Sequence, residues 1–498
     1  MTDSSRPAGR VHRWLGCLEY WGNRLPHPAL LFALLCLLVL LASTLLSLPG
    51  VSATHPVTQD SITVRNLLSA DGIRYILASL VTNFTGFAPL GIAIVALLGI
   101  GVAERSGLLG AALTSLVGVA PQALLVPVVA FAGVMSSIAM DAGYVVLIPL
   151  AGLLFQLAGR HPLAGIATAF AGVSGGFSAN LLIGPVDAIL AGLSTEAARL
   201  AAPDITVAAS ANYWFLIVST GLVTVLVTLV TRRWIEPWLS GQPAAVVAPQ
   251  APVFTERRPL RLAGLSVLVM VALVLALTLP AQAPLRNPDG GLIPSPLVNG
   301  SVVLIALIAA VAGIVYGITQ GSFKRSADVV EAMEETLRSL SGYLVLMFFA
   351  AQFVAWFNWS NIGIVLAIHG ADWLGGLALP QVAVLVLMVL FTALLNLMIG
   401  SASAKWGLLA PVFVPMLLLL GISPEATQAA YRVGDSATNI ISPLMPYFVL
   451  VLGFTRRYQA DAGVGTLVTL MLPYSLVMLC GWSLLLALWL GMGWPLGF

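Results

Sequence analysis

Apolar runs of about twenty residues recur along the chain, and each is long enough to cross a hydrocarbon core of roughly 30 Å. Residues 30–48, 218–230 with their flanks, 262–279, 298–318 and 467–490 all qualify. In lipid a backbone must satisfy its own hydrogen bonds, so such runs become helices. The expected fold class is an all-α polytopic membrane protein. The chain as a whole holds thirty prolines and 47 glycines. They predict broken helices, which are tolerated where the freed backbone groups line a protein cavity. The net charge of +2 carries no nucleic-acid footprint. Cys17, Cys36 and Cys480 show neither paired nor metal-ligand spacing. The run from Leu30 lacks a small-residue cleavage site and reads as a span, not a cleaved leader.

Basic residues gather in short loops and report topology. Arg13 and Arg24 place residues 1–27 in the cytoplasm. Two spans follow in 28–105, then a tract over 106–195 whose polar middle, Met135 to Gly143, reads as the tip of a re-entrant hairpin ahead of a broken span. Residues 212–357 hold four spans and a cytoplasmic linker, 232–260. A second hairpin and broken span occupy 380–457, and the last span 463–492. The total is nine spans and two hairpins that enter from opposite sides.

The two hairpin regions resemble each other. His161-Pro162 opens the span after the first, and Ser423-Pro424 opens the span after the second. Ser174-Gly175-Gly176-Phe177-Ser178-Ala179-Asn180 with Gly184-Pro185 parallels Asp435-Ser436-Ala437-Thr438-Asn439 with Ser442-Pro443. Copies that start from opposite sides form an inverted repeat, which builds a midplane site from discontinuous helices.

Charge marks that site. An ionisable side chain within a span costs at least about 2.5–3.5 kcal/mol on insertion scales and is functional by default. Arg432 and Asp435 sit three residues apart in a segment read as unwound, and would share a face where it is helical. They form either a structural ion pair or a working pair. In the second case Arg432 receives a substrate carboxylate on its two-pronged guanidinium, and Asp435 couples a proton or cation. Asp187 either relays a proton or caps the half-helix starting at Pro185. Asn180, Asn396 and Asn439, with Ser174, Ser178, Ser436 and Thr438, offer neutral oxygens suited to a hard monovalent cation or to gluing helices together. Ser403 and Trp406 offer a hydroxyl and an aromatic wall, or packing alone. Lys405 and Asp141, at the two tips, are expected to be solvated or to gate. No nucleophile–base set, phosphate loop or zinc spacing is present, which argues against an enzyme.

These motifs, above all 175–187, 400–406 and 431–443, resemble the p-aminobenzoyl-glutamate transporter (AbgT) family. The resemblance implies a bowl-shaped homodimer in the inner membrane. It carries Asp187, Ser403, Trp406, Pro424, Arg432, Asp435 and Pro443 to positions linked to transport, and Asn396, Asp435 and Asn439, with Asn180, to the surroundings of a cation. It implies no cofactor beyond a coupling sodium ion or proton. It also implies an aromatic carboxylate or sulfonamide substrate, moved as proton-driven efflux, with cation-coupled uptake of p-aminobenzoyl-glutamate or a dicarboxylate as the alternative.

Overall fold

Helix follows helix through almost all of the computed structural model, which describes residues 28–498 apart from 55–58, 119, 140–142, 241–256, 281, 292–294 and 446. Arg13, Arg24, Asp141 and most of the linker lie outside the described residues. Among those described, eight helices are long and apolar enough to cross a membrane, or ten if each of two sharply bent pairs counts as one. Pro28–Ser47, Tyr213–Val230, Arg257–Ala276, Ser301–Gln320 and Val464–Gly491 fall on the apolar runs. Two elements depart from the expectation. Ser52–Thr54 and Ser61–Thr63 form a small antiparallel ribbon in the first polar loop, so the chain is not purely helical. Ser326–Ser339 folds as a polar helix where only a basic loop was expected, and its Glu335 lies 3.5 Å from Arg105 and 2.9 Å from Arg338.

The two bent pairs share one construction. Leu108–Gly118 turns by 117° into the helix ending at Ile138, and Ile362–Gly376 turns by 117° into Gln381–Asn396. A proline sits at each corner, Pro121 with φ −57° and ψ 148°, and Pro380 with φ −58° and ψ 143°. Proline has no amide hydrogen to continue a helix and pushes the residue before it toward extended backbone, so the chain must turn there.

After each corner come two helical arms. In the first copy Leu125–Met135 and its 3₁₀ extension Ser136–Ala139 face Gly143–Leu147 and Ile148–Leu157. In the second, Gln381–Asn396 is followed, after the turn 397–401, by Ala402–Leu419. Ala402–Leu419 is itself long and apolar enough to span.

The helix that follows starts alike in both copies. His161 Nδ1 accepts from the Leu163 amide at 3.3 Å with Pro162 in the first turn, and Ser423 Oγ accepts from the Ala426 amide at 3.3 Å with Pro424 in the first turn. Each then packs backbone to backbone on the first arm through a glycine. A Cβ on Gly172 would lie 2.6 Å from the Ala130 carbonyl oxygen, and one on Gly434 would lie 2.3 Å from that of Val389. Only glycine permits helices to approach so closely.

The copies differ in where they break. Pro162–Phe170 loosens into a π turn at Ala171–Gly175, unwinds, and restarts as Pro185–Ala198. Pro424–Asn439 stays helical throughout and unwinds only beyond Ile440, restarting as Phe448–Arg456. The segment holding Arg432, Asp435 and Ser436 is therefore a helix, contrary to the sequence reading. Its polar side chains find partners on neighbouring elements, and Thr438 Oγ1 bonds back to the Gly434 carbonyl at 2.9 Å, so nothing forces the backbone open.

Candidate functional site

Because the Pro424–Asn439 helix is intact, its polar residues form a stripe. Gln428, Arg432, Asp435 and Asn439 recur at spacings of three and four, and all are buried. The stripe faces the unwound segment of the first copy on one side and the two arms of the second copy on the other.

Toward the first copy stands an ion pair. Arg432 Nη2 lies 2.5 Å from Asp187 Oδ1 and 3.4 Å from the Ser178 carbonyl oxygen. Asp187 Oδ2 accepts from the Gly184 amide at 2.6 Å, in the first turn of Pro185–Ala198. Asp187 thus caps its helix, one of the two roles weighed from the sequence, and with its other oxygen holds the arginine, a pairing the sequence did not suggest. A carboxylate is favoured there by the free amides and dipole at a helix start. The Ser178 amide donates to Ser436 Oγ at 3.1 Å, and Asn439 Nδ2 to the Ser174 carbonyl at 3.5 Å. Both broken segments are stitched along one seam.

Toward the arms of the second copy stands another pair. Lys405 Nζ donates to Asp435 Oδ1 and to Asn396 Oδ1. Asn396 Nδ2 in turn contacts the Asp435 carbonyl at 2.6 Å, Thr438 Oγ1 at 2.9 Å and Asn439 Oδ1 at 2.9 Å. This corrects two expectations. Arg432 and Asp435 do not pair with each other; each takes a partner from a different element. Lys405 is not a solvated tip residue but is 0% exposed, against 1% for Asp435, 2% for Arg432 and 4% for Asp187. A buried ammonium is tolerated only with a counter-charge and filled hydrogen bonds, and Asp435 with Asn396 supplies them.

Of the expected cation residues, Asn396, Asp435 and Asn439 converge. Asn180 does not join them: its Nδ2 donates to Ser137 Oγ at 2.7 Å, and its Oδ1 accepts from the Leu182 amide at 3.1 Å, within the first copy. The converging oxygens suit a monovalent cation, and Lys405 provides one.

Trp406 packs. Its indole is fully buried, stacks on Tyr431 with ring centroids 4.5 Å apart, and donates from Nε1 to Ser194 Oγ at 3.0 Å. Ser194 Oγ donates to Gln428 Oε1 at 2.6 Å, and Gln428 Nε2 to Asn212 Oδ1 at 3.0 Å. Ser194, Asn212, Gln428 and Tyr431 went unnoticed in the sequence. Extending the helical spacing back from Arg432 would have found Gln428; nothing local points to Ser194 or Asn212. Ser194→Ala is expected to cost about 1–3 kcal/mol by stranding the Gln428 amide oxygen and leaving the indole N–H only its longer contact to the Leu190 carbonyl at 3.3 Å, read as a lower unfolding temperature in detergent. Ser403 is half-buried at the start of Ala402–Leu419, Pro424 opens its helix, and Pro443 lies in the turn after Ile440.

Four buried atoms in this region, Arg432 Nε, Asp435 Oδ2, Ser178 Oγ and Thr392 Oγ1, have no hydrogen-bond partner among the described residues. Buried polar atoms are rarely left so, and a cluster of them suits a polar ligand.

The comparisons with known proteins decide what kind of site this is. Residues 13–498 match the model of the "AbgT putative transporter family". The chain belongs to the AbgT family. AbgT relatives include the p-aminobenzoyl-glutamate transport protein of Escherichia coli (strain K12), 38% identical over 497 residues, which is 99% of this chain and 97% of that one. The YdaH transporter of Alcanivorax borkumensis superposes with a TM-score of 0.93 at 62% identity, over 95% of this chain and all of that one. MtrF of Neisseria gonorrhoeae, described as illuminating a class of antimetabolite efflux pumps, gives 0.88 at 43% identity, over 96% and 97% of the two chains. As an AbgT protein the chain is a membrane transport protein and not an enzyme.

Proposed function

We propose that this AbgT protein is a secondary transporter that exports small aromatic carboxylates or sulfonamide-like antimetabolites across the inner membrane, driven by the proton gradient. The observation that carries the reading is the buried Arg432–Asp187 pair, which joins the intact Pro424–Asn439 helix to Pro185–Ala198, the helix that restarts after the first break. The names of the Escherichia coli and Neisseria gonorrhoeae relatives support the substrate class.

A carboxylate substrate competes with Asp187 for the guanidinium, whose Nε has no partner among the described residues. Asp187, displaced from Arg432, is then the carboxylate free to carry a proton the other way. Exchange of partners on one arginine ties substrate movement to proton movement without a separate relay. The architecture proposed around it is nine spans and two re-entrant hairpins in an inverted repeat, a homodimer, and a cytoplasmic N-terminus. The boundaries are those read from the sequence. The matching 117° corners and glycine contacts of the two copies favour it.

The test is purified protein in liposomes with labelled p-aminobenzoyl-glutamate and a sulfonamide, under separately imposed proton and sodium gradients. Flux driven by the pH gradient and lost in Asp187→Ala and Asp435→Ala is expected. Undiminished flux in both variants would sink the coupling assignment, and flux driven by sodium alone would make the protein a cation-coupled importer.

A further inference from the structure

The Asn396–Asp435 oxygens already hold a cation, and it belongs to the chain. We infer that the Lys405 ammonium is a tethered occupant of the coupling-cation position, so that Lys405 and a mobile monovalent cation hold these oxygens in turn and never together. The inference deepens the transport reading by naming what controls its cation site, but its test does not depend on transport.

The geometry is built for a cation, beyond what a salt bridge needs. Asn396 is oriented by its own amide nitrogen, whose two hydrogens are shared among three acceptors, the Asp435 carbonyl, Thr438 Oγ1 and Asn439 Oδ1. That fixes Asn396 Oδ1 toward Lys405 Nζ, beside Asp435 Oδ1. Ser442 Oγ donates to the Asn396 carbonyl at 3.0 Å and anchors the end of the first arm. The second carboxylate oxygen, Asp435 Oδ2, is buried with no partner among the described residues. The cluster therefore offers one more oxygen than the ammonium uses.

Charge makes the two occupants exclusive. Lys405 and Asp435 sum to zero. The nearest further cation, Arg432, is committed to Asp187, and the Tyr431 hydroxyl donates to the Ala402 carbonyl at 2.5 Å. A sodium ion added beside the ammonium would leave an uncompensated positive charge where the dielectric is low, and like charges at such distances repel strongly. With Lys405 withdrawn, the same oxygens present one net negative charge to a hard cation.

Withdrawal has a mechanical consequence. Lys405 stands in the first turn of Ala402–Leu419, four residues past the Ser401 cap, whereas Asp435 stands on the crossing helix. The ammonium can leave Asp435 only if the second hairpin tip shifts or the lysine swings out. Cation entry is thereby linked to the position of that hairpin. A lysine stem is long and flexible, with three donors on a compact charge, which suits it to such an exchange.

The experiment measures equilibrium binding of radioactive sodium to detergent-purified protein at one fixed pH, alongside the sodium dependence of thermal unfolding. Wild type is compared with Lys405→Met and Lys405→Gln. Both neutral variants are expected to bind sodium roughly tenfold or more tightly than wild type, because a unit positive charge has left the site. Adding Asp435→Asn to either should abolish the gain. The Gln variant, one atom shorter than lysine, keeps an N–H donor on the side of Asp435, so it reports if the Met variant does not fold. Sodium affinity unchanged or weaker in the neutral variants, including no binding by any of the proteins, overturns the inference.

Discussion

Arg432→Ala is expected to abolish transport and to destabilise the protein by about 3–5 kcal/mol, the usual effect of stranding one member of a buried ion pair. The cost arises on both sides of the seam. Asp187 would keep its bond to the Gly184 amide but lose the cation 2.5 Å from its other oxygen. Asp187→Ala should do comparable damage and also uncap Pro185–Ala198. The informative protein is the double variant Arg432→Met with Asp187→Asn. An asparagine keeps an oxygen for the Gly184 amide, and no charge remains buried. Its unfolding temperature should recover most of the loss while transport stays absent, giving a coupling energy of about 1–3 kcal/mol between the positions. Thermal unfolding in detergent and liposome flux, measured on the wild type, Arg432→Met, Asp187→Asn and the double variant, separate the structural part from the transport part. Single variants that unfold at the wild-type temperature would show that the pair bears no load.

The second large effect is expected at Gly434. A methyl there would sit 2.3 Å from the Val389 carbonyl oxygen and 2.9 Å from Thr392 Cβ, and backbone cannot retreat as a side-chain tip can. Gly434→Ala should cost about 1–3 kcal/mol by overpacking. It should also reduce transport sharply, because pushing the crossing helix off the hairpin arm displaces Arg432 and Asp435, two residues before and one after the glycine. Gly221→Ala is the matched control: it lies within Tyr213–Val230 with no atom within 4 Å of the added carbon, and alanine is the better helix former. Equal unfolding temperatures for the two variants would show that the contact is slack.

Much of the frame could be read from the sequence. Apolar runs located the long helices, and Pro162 and Pro424 marked where the crossing helices begin. The pairing of charges could not be read. Arg432 and Asp435 lie one turn apart and invite each other, but their partners arrive from residues 187 and 405, and only tertiary packing decides between near and far. Lys405 misled for a related reason. A lysine beside a glycine- and serine-rich turn resembles a solvated tip until Asp435 and Asn396 close over it. The supposed unwinding of 430–439 failed because hydroxyls and amides weaken a helix only when they compete for its own backbone. Here most are engaged by neighbouring elements. Asn180 fell to the opposite error, since its likeness to Asn439 in sequence did not carry over to its partners.

The Arg432–Asp187 pair also sets a timetable for biogenesis. Its members are 245 residues apart. At 5–20 residues per second, roughly 10–50 s of synthesis separate the emergence of the aspartate from that of its arginine. Throughout that interval the first half of the chain carries a carboxylate for which it holds no cation in place. The second half meets the same difficulty in mirror form, with an arginine whose counter-ion was made long before. Neither half is electrically complete alone, so final closure of the fold waits for the last quarter of the chain.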